Sequence, residues 1–120
     1  MKIAITATGK TLESPVDPRF GRAAYFVLVD TDTGALEAHD NAQNLNAAQG
    51  AGIQAAQIVS QLGAESVVTG HCGPKAFRTL QAAGIKVVVG AEGTVAQAVA
   101  DVLSGRLKPG ESPDVEGHWA

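Results

Sequence analysis

A chain of 120 residues is one domain, long enough to bury roughly two-thirds of its unfolded surface. With 45% hydrophobic but only 4% aromatic residues, its core is expected to be Ala, Val, Ile and Leu packed closely. A net charge of −3 lacks the basic footprint of a nonspecific nucleic-acid binder, and the single cysteine excludes an internal disulfide.

Lys2-Ile3-Ala4-Ile5-Thr6-Ala7 reads as a first strand that starts directly after Met1, with neither a signal peptide nor a membrane-length apolar run. The expected compartment is therefore a reducing cytoplasm, and no membrane partner is expected. Residues 8–22 hold Gly9, Pro15, Pro18 and Gly21 among Lys10, Asp17, Arg19 and Arg22. A loop of that length in a small domain is usually functional or disordered, and its turn chemistry favours order. Gly9-Lys10-Thr11 is the ending of a phosphate-binding P-loop, but the motif needs a glycine where Ala4 stands inside a strand, so it is rejected.

Tyr25-Phe26-Val27-Leu28-Val29 is a second strand, Asp32-Thr33-Gly34 a turn, and residues 35–39 a short third strand that closes a hairpin. Residues 40–50 form a polar connection. From Gly52 the period changes: Ile53, Ala56, Val59 and Leu62 make a helical stripe that Gly63 stops. Residues 66–69 are a fourth strand. A helix then starts at Pro74, with Phe77, Leu80 and Ala83 on its inner face, and Gly84 ends it. Residues 85–89 are a fifth strand. Thr94 with Gln97 three residues later is a capping-box signal for a third helix that carries Val95, Val99 and Val102 and stops at Gly105. Residues 1–106 thus read as one α/β domain, and 107–120, which include His118 and Trp119, as a loose tail. The expected sheet is mixed and five-stranded: an antiparallel meander of three, then two strands parallel to the first, with helices on both faces.

The centre of this arrangement is Gly70-His71-Cys72-Gly73-Pro74-Lys75. Strand, glycine-rich turn and Pro at the first helical position place the only cysteine where a helix N-terminus offers free N–H groups, at the carboxyl edge where open α/β sheets bind ligands. The plain alternative is a strand–helix corner with a small residue in it. Cys72 has three readings, as a buried filler, a reactive thiol, or a soft contact to metal or sulfide. A structural zinc or iron–sulfur site wants about four N or S ligands, and one Cys with His39, His71 and His118 does not supply that pattern. His71 could act as base to a nucleophilic thiol, but no third group to orient it can be named. A two-metal nuclease needs clustered carboxylates, and the first strand carries none.

Three stretches resemble signatures of one family, the dinitrogenase iron-molybdenum cofactor biosynthesis proteins, which include the NifX-like proteins and the C-terminal domain of NifB. They are Ser14-Pro15-Val16-Asp17-Pro18-Arg19-Phe20-Gly21-Arg22-Ala23-Ala24-Tyr25-Phe26, Gly50-Ala51-Gly52-Ile53-Gln54-Ala55-Ala56-Gln57, and Gly70-His71-Cys72-Gly73-Pro74-Lys75-Ala76-Phe77. The resemblance implies a ribonuclease-H-like three-layer fold and a non-catalytic protein that binds or carries metal–sulfur cofactors. Single-domain members of this size imply a molybdenum–copper sulfide cluster held without covalent attachment; the alternative cargo is an iron-molybdenum cofactor precursor. Such an anion brings its own sulfides, so the chain need supply only positive potential, N–H donors and a dry wall. The candidates are Arg19, Arg22, Gly70, His71, Cys72, Gly73 and Lys75, joined by Arg78, with Cys72 and His71 the candidates for direct metal contact. A different class of function is a regulatory or scaffold module that binds a protein partner, with metal loading as a sensor or a vestige. Each basic residue alone is an ordinary surface charge. The carrier reading requires the arginine loop and the cysteine turn to share one hollow.

Overall fold

The structure is a computed structural model that describes residues 1–41 and 50–110. Its strands are β1 (Lys2–Ala7), β2 (Tyr25–Asp30), β3 (Leu36–Asp40), β4 (Ser66–Val68) and β5 (Lys86–Val88), and its helices α1 (Ala51–Gln61), α2 (Pro74–Ala82) and α3 (Val95–Leu103). The sheet order is β3-β2-β1-β4-β5, antiparallel across β1–β2 and β2–β3 and parallel across β1–β4 and β4–β5. This is the expected mixed sheet, a meander extended by two parallel strands.

Successive side chains of a strand point to opposite faces, and here both faces are covered. Ala4, Phe26, Leu28, Val67 and Val87 join Ala55, Val59, Phe77 and Leu80 in a core on the α1 and α2 side. Ile3, Ile5, Val27, Val29, Val68 and Val88 join Val95 and Ala98 in a second core on the α3 side. That double burial explains why β1 and β2 read as nearly continuous apolar runs. β3 is different: as the edge strand it is exposed along most of its length. It returns through a tight turn in which the Gly34 N–H donates to the Asp30 carbonyl at 2.8 Å, with Gly34 at φ 79°.

The helices differ from the sequence reading where alanine is involved. In α1 the buried face is Ala51, Gly52, Ala55, Ala56 and Val59, while Ile53 and Leu62 are only half-buried. α1 packs against α2 as well as the sheet, and small residues allow that close approach. Ala83 is exposed as the C-cap of α2, and Ala76 takes its expected place inside. The α3 cap is half of a capping box. The Gln97 N–H donates to Thr94 Oγ1 at 3.2 Å, but the Gln97 side chain reaches forward to Asp101 at 2.9 Å. Residues 107–110, expected to be loose, are docked. Leu107 packs on the α3-side core, and the Gly110 N–H donates to the Val87 carbonyl on the outer edge of β5 at 2.9 Å. Residues 42–49 of the polar connection and 111–120, with His118 and Trp119, lie outside the described residues. No helix among the described residues is long and apolar enough to cross a membrane.

Thr94→Ala should cost about 1 kcal/mol, the usual value of an N-cap. The check is a lowered urea midpoint at unchanged m-value.

Candidate functional site

Because β1, β4 and β5 run parallel and β2 runs against them, several connections meet at one rim. The loop after β1, the turns after β4 and β5, and the start of α2 all lie at the carboxyl edge of the parallel strands. The loop between β1 and β2 is pinned there on two sides. Toward α3, the Val16 N–H donates to the Gly93 carbonyl and the Val95 N–H to the Ser14 carbonyl, each at 2.9 Å. Toward the sheet, the Asp17 N–H donates to the Thr6 carbonyl at 2.9 Å, and the Thr6 hydroxyl donates to the Asp17 carbonyl at 2.7 Å. The Thr6 and Thr69 hydroxyls lie 2.9 Å apart and tie the ends of β1 and β4 beneath it. All of Thr6, Asp17 and Thr69 are buried. The Asp17 carboxylate accepts the Arg19 N–H at 3.1 Å, an Asx turn over Pro18 that sets the direction of the next residues.

That turn brings the loop against the cysteine turn. Arg19 and His71 form an isolated parallel bridge: the His71 N–H donates to the Pro18 carbonyl at 2.7 Å, and the Phe20 N–H donates to the His71 carbonyl at 3.2 Å. Gly70 permits the approach. A Cβ placed there would lie 2.7 Å from Pro18 Cα, a distance side chains do not tolerate.

The bridge also sorts the side chains, since neighbours along an extended segment face opposite ways. Phe20 and Cys72 turn inward and are fully buried in the α1 and α2 side core. Arg19 is exposed and His71 half-buried, paired across the bridge on the other side. Arg22 is half-buried, and Lys75 and Arg78 are exposed on the first turns of α2. The structure therefore brings Arg19, Gly70, His71 and Gly73 into one contiguous rim, with Lys75 on the adjoining helical turn. Cys72 stands apart from that set. Its Sγ lies 3.7 Å from the Gly73 carbonyl, beneath the rim, as an inner wall. The burial removes the access that a reactive thiol needs, and is compatible with both the filler and the soft-contact readings.

The helix starts supply donors. α2 begins at Gly73, an extended N-cap, followed by Pro74, and no described side chain caps it and no acid lies in its first turn. The Phe77 N–H is the first to reach back, to the Gly73 carbonyl at 2.9 Å, so the Lys75 and Ala76 N–H groups precede the helical ladder. α1 starts from Gly50 in the left-handed region at φ 75°, also without a described side-chain cap or a first-turn acid. Three His, Cys, Asp or Glu side chains do not gather in metal-binding reach anywhere among the described residues. His39 lies on the edge strand β3 beside Glu37 at 3.2 Å, two strands across from β1. Among the described residues the rim offers cations and N–H donors, which suit an anion, rather than a gathered set of metal ligands.

The opposite edge of the sheet has another character. Lys2, Leu28, Asp30, Ala35 and Glu37 line a shallow hollow there. The Met1 ammonium donates to Asp32 at 2.6 Å, which raises the amine's pKa, while the Asp32 N–H lowers that of the Asp30 carboxyl. Sequence reasoning missed Thr6, Asp17 and Thr69 as the pins of the rim. The available signal was a Thr at the end of each of two apolar strands and an Asp-Pro pair.

The model of the family described as dinitrogenase iron-molybdenum cofactor matches residues 1–105. The chain belongs to this family. Among solved family-like structures, the apo form of the orange protein from Desulfovibrio gigas is 50% identical at a TM-score of 0.93, covering 95% of this chain and 96% of that one. A putative NifB protein from Thermotoga is 38% identical at a TM-score of 0.79, covering 90% and 91%. An uncharacterised protein of Methanocaldococcus jannaschii, MJ0580, is 26% identical over 110 residues, 90% of each chain. The family likeness read from the three loop motifs is therefore borne out, and the fold with it.

Gly70→Ala should push Pro18 away and destabilise the domain by about 1–3 kcal/mol, as overpacking does. Hydrogen exchange should accelerate at the His71 and Phe20 amides before it does in β1. Unchanged exchange there would mean that the bridge does not depend on Gly70.

Proposed function

We propose that this protein is a non-catalytic carrier that holds an anionic metal–sulfide cluster as cargo at the rim formed by the arginine loop and the cysteine turn. The observation that carries this reading is the Arg19–His71 bridge, which fixes the backbone that bears Arg19 beside the turn that starts α2. The donor set suits such a cargo: cations and backbone N–H groups, and no cluster of protein ligands among the described residues. Hydrogen bonds to charged groups contribute about 1.5–3 kcal/mol each. A helix N-terminus adds up to about 2 kcal/mol in a partly buried site. Three or four such contacts reach micromolar affinity, about −8 kcal/mol, after the costs of association.

The finer reading is a molybdenum–copper sulfide cluster, supported by the resemblance to single-domain family members of this size; an iron-molybdenum cofactor precursor is the alternative cargo. Arg19, Arg22 and Lys75 supply charge, His71 a rim contact, and the Gly70–Gly73 segment its backbone. Cys72 closes the inner wall without touching metal.

Apo protein mixed anaerobically with tetrathiomolybdate and cuprous ion should carry a coloured species through gel filtration, and added salt should weaken retention because the holding force is electrostatic. Colourless recovered protein would refute the carrier reading. Replacing Arg19 and Arg22 together by Ala should lower retention at least about tenfold, the loss of one charge-assisted contact or more. Cys72→Ala should keep the colour and lower only stability; its loss with the fold intact would make the thiol a ligand.

A further inference from the structure

Of the acids among the described residues, only Asp17 is buried, at 7% exposure. No ion pair among the described residues involves its carboxylate. A carboxylate taken out of water without a cation beside it is costly, and here it stands beneath a rim suited to anions. Net charge alone makes it the wrong residue for that place.

What the carboxylate does is hold a backbone. Its Oδ1 accepts the Arg19 N–H at 3.1 Å, across Pro18. Thr6 clamps the Asp17 backbone from both sides: the Asp17 N–H donates to the Thr6 carbonyl at 2.9 Å, and the Thr6 hydroxyl donates to the Asp17 carbonyl at 2.7 Å. The Thr6 hydroxyl also meets that of Thr69 at 2.9 Å, and both threonines are fully buried. Next along the loop, the Pro18 carbonyl accepts the His71 N–H at 2.7 Å. A buried line of polar contacts therefore runs from the end of β4 through β1 to the backbone of Arg19, and the carboxylate is its last link.

Asn or Ser would close the same kind of turn without a charge. An ionised acceptor grips an N–H about twice as strongly as a neutral one, which favours the turn. The same charge repels an anion at the rim. Shape and charge thus act in opposite directions on the hold, and substitution can separate them.

We propose that Asp17 is a positioning residue of the rim: its carboxylate aims the segment that bears Arg19, while its charge keeps the grip on an anionic cargo loose. This role rests on the carrier reading.

The probe is tetrathiomolybdate with cuprous ion, titrated anaerobically into the full chain and followed by its colour through gel filtration. Asp17→Asn keeps an oxygen acceptor and removes the charge, so it should hold the coloured species about threefold more tightly than wild type. Asp17→Ala removes the same charge together with the acceptor. With circular dichroism unchanged, it should hold the species about threefold more weakly than wild type, because the lost turn outweighs the relieved repulsion. In an Arg19→Ala background the two Asp17 variants should bind alike, since the carboxylate acts through Arg19. If Asp17→Ala does not fold, Asp17→Ser, neutral and a weaker acceptor, takes its place and should hold more weakly than Asp17→Asn. Neutral variants that all tighten alike make Asp17 a bare charge and overturn the proposal, as does an Asp17→Asn chain weaker than wild type. Colourless wild-type protein overturns the carrier reading, and this role with it.

Discussion

Two backbone hydrogen bonds and an absent methyl group join the loop after β1 to the turn after β4, and the chemistry of the rim follows from that contact. The His71 N–H on Pro18 and the Phe20 N–H on His71 make a bridge of a single residue pair. Gly70 is what allows the chains so close. Ordering a loop costs backbone entropy, about 1–2 kcal/mol for each residue fixed. Here that cost is met by contacts spread along the loop, from Ser14 and Val16 on the α3 side to Asp17 on Thr6 and Arg19 on Asp17. The basic side chains therefore have fixed roots rather than a statistical distribution.

Net charge is a poor guide to such a place. The chain is acidic overall, yet Lys75 sits in, and the Arg19 backbone is bridged beside, a helix start with no acid in its first turn. Several of the acids are spent elsewhere: Asp30, Asp32 and Glu37 lie at the far edge, near the Met1 ammonium or Lys2. The alternation through the bridge divides labour in the same spirit. One side of the strand pair contributes Phe20 and Cys72 to a dry core, and the other presents Arg19 and His71.

Much of this was legible in the residues. Unbroken apolar runs marked β1 and β2, Gly34 marked the turn after β2 and Gly63 the end of α1, and Thr94 with Gln97 marked the start of α3. What stayed hidden depends on contacts distant in sequence. Cys72 beside His71 reads as a pair, and only the bridge shows that they face opposite ways. Gly70 reads as a turn glycine, yet it does not adopt the left-handed backbone; its reason is Pro18, far back in the chain. Alanine carries too little apolar signal for a stripe to reveal that Ala55 or Ala76 is buried and Ala83 is not. Proline and glycine in residues 107–110 suggest a free end, and local composition cannot announce that Gly110 finds the edge of β5.

The tethering of the loop after β1 has a kinetic side. A segment stapled to the sheet, to the start of α3 and to the turn after β4 cannot swing as a lid, since every staple would have to break together. Under the carrier proposal, cargo would meet an open berth, and its residence time would be set by the strength of the contacts and by the ions around them, not by the opening of a door. A carrier built in that way would give up what it holds readily to a stronger acceptor.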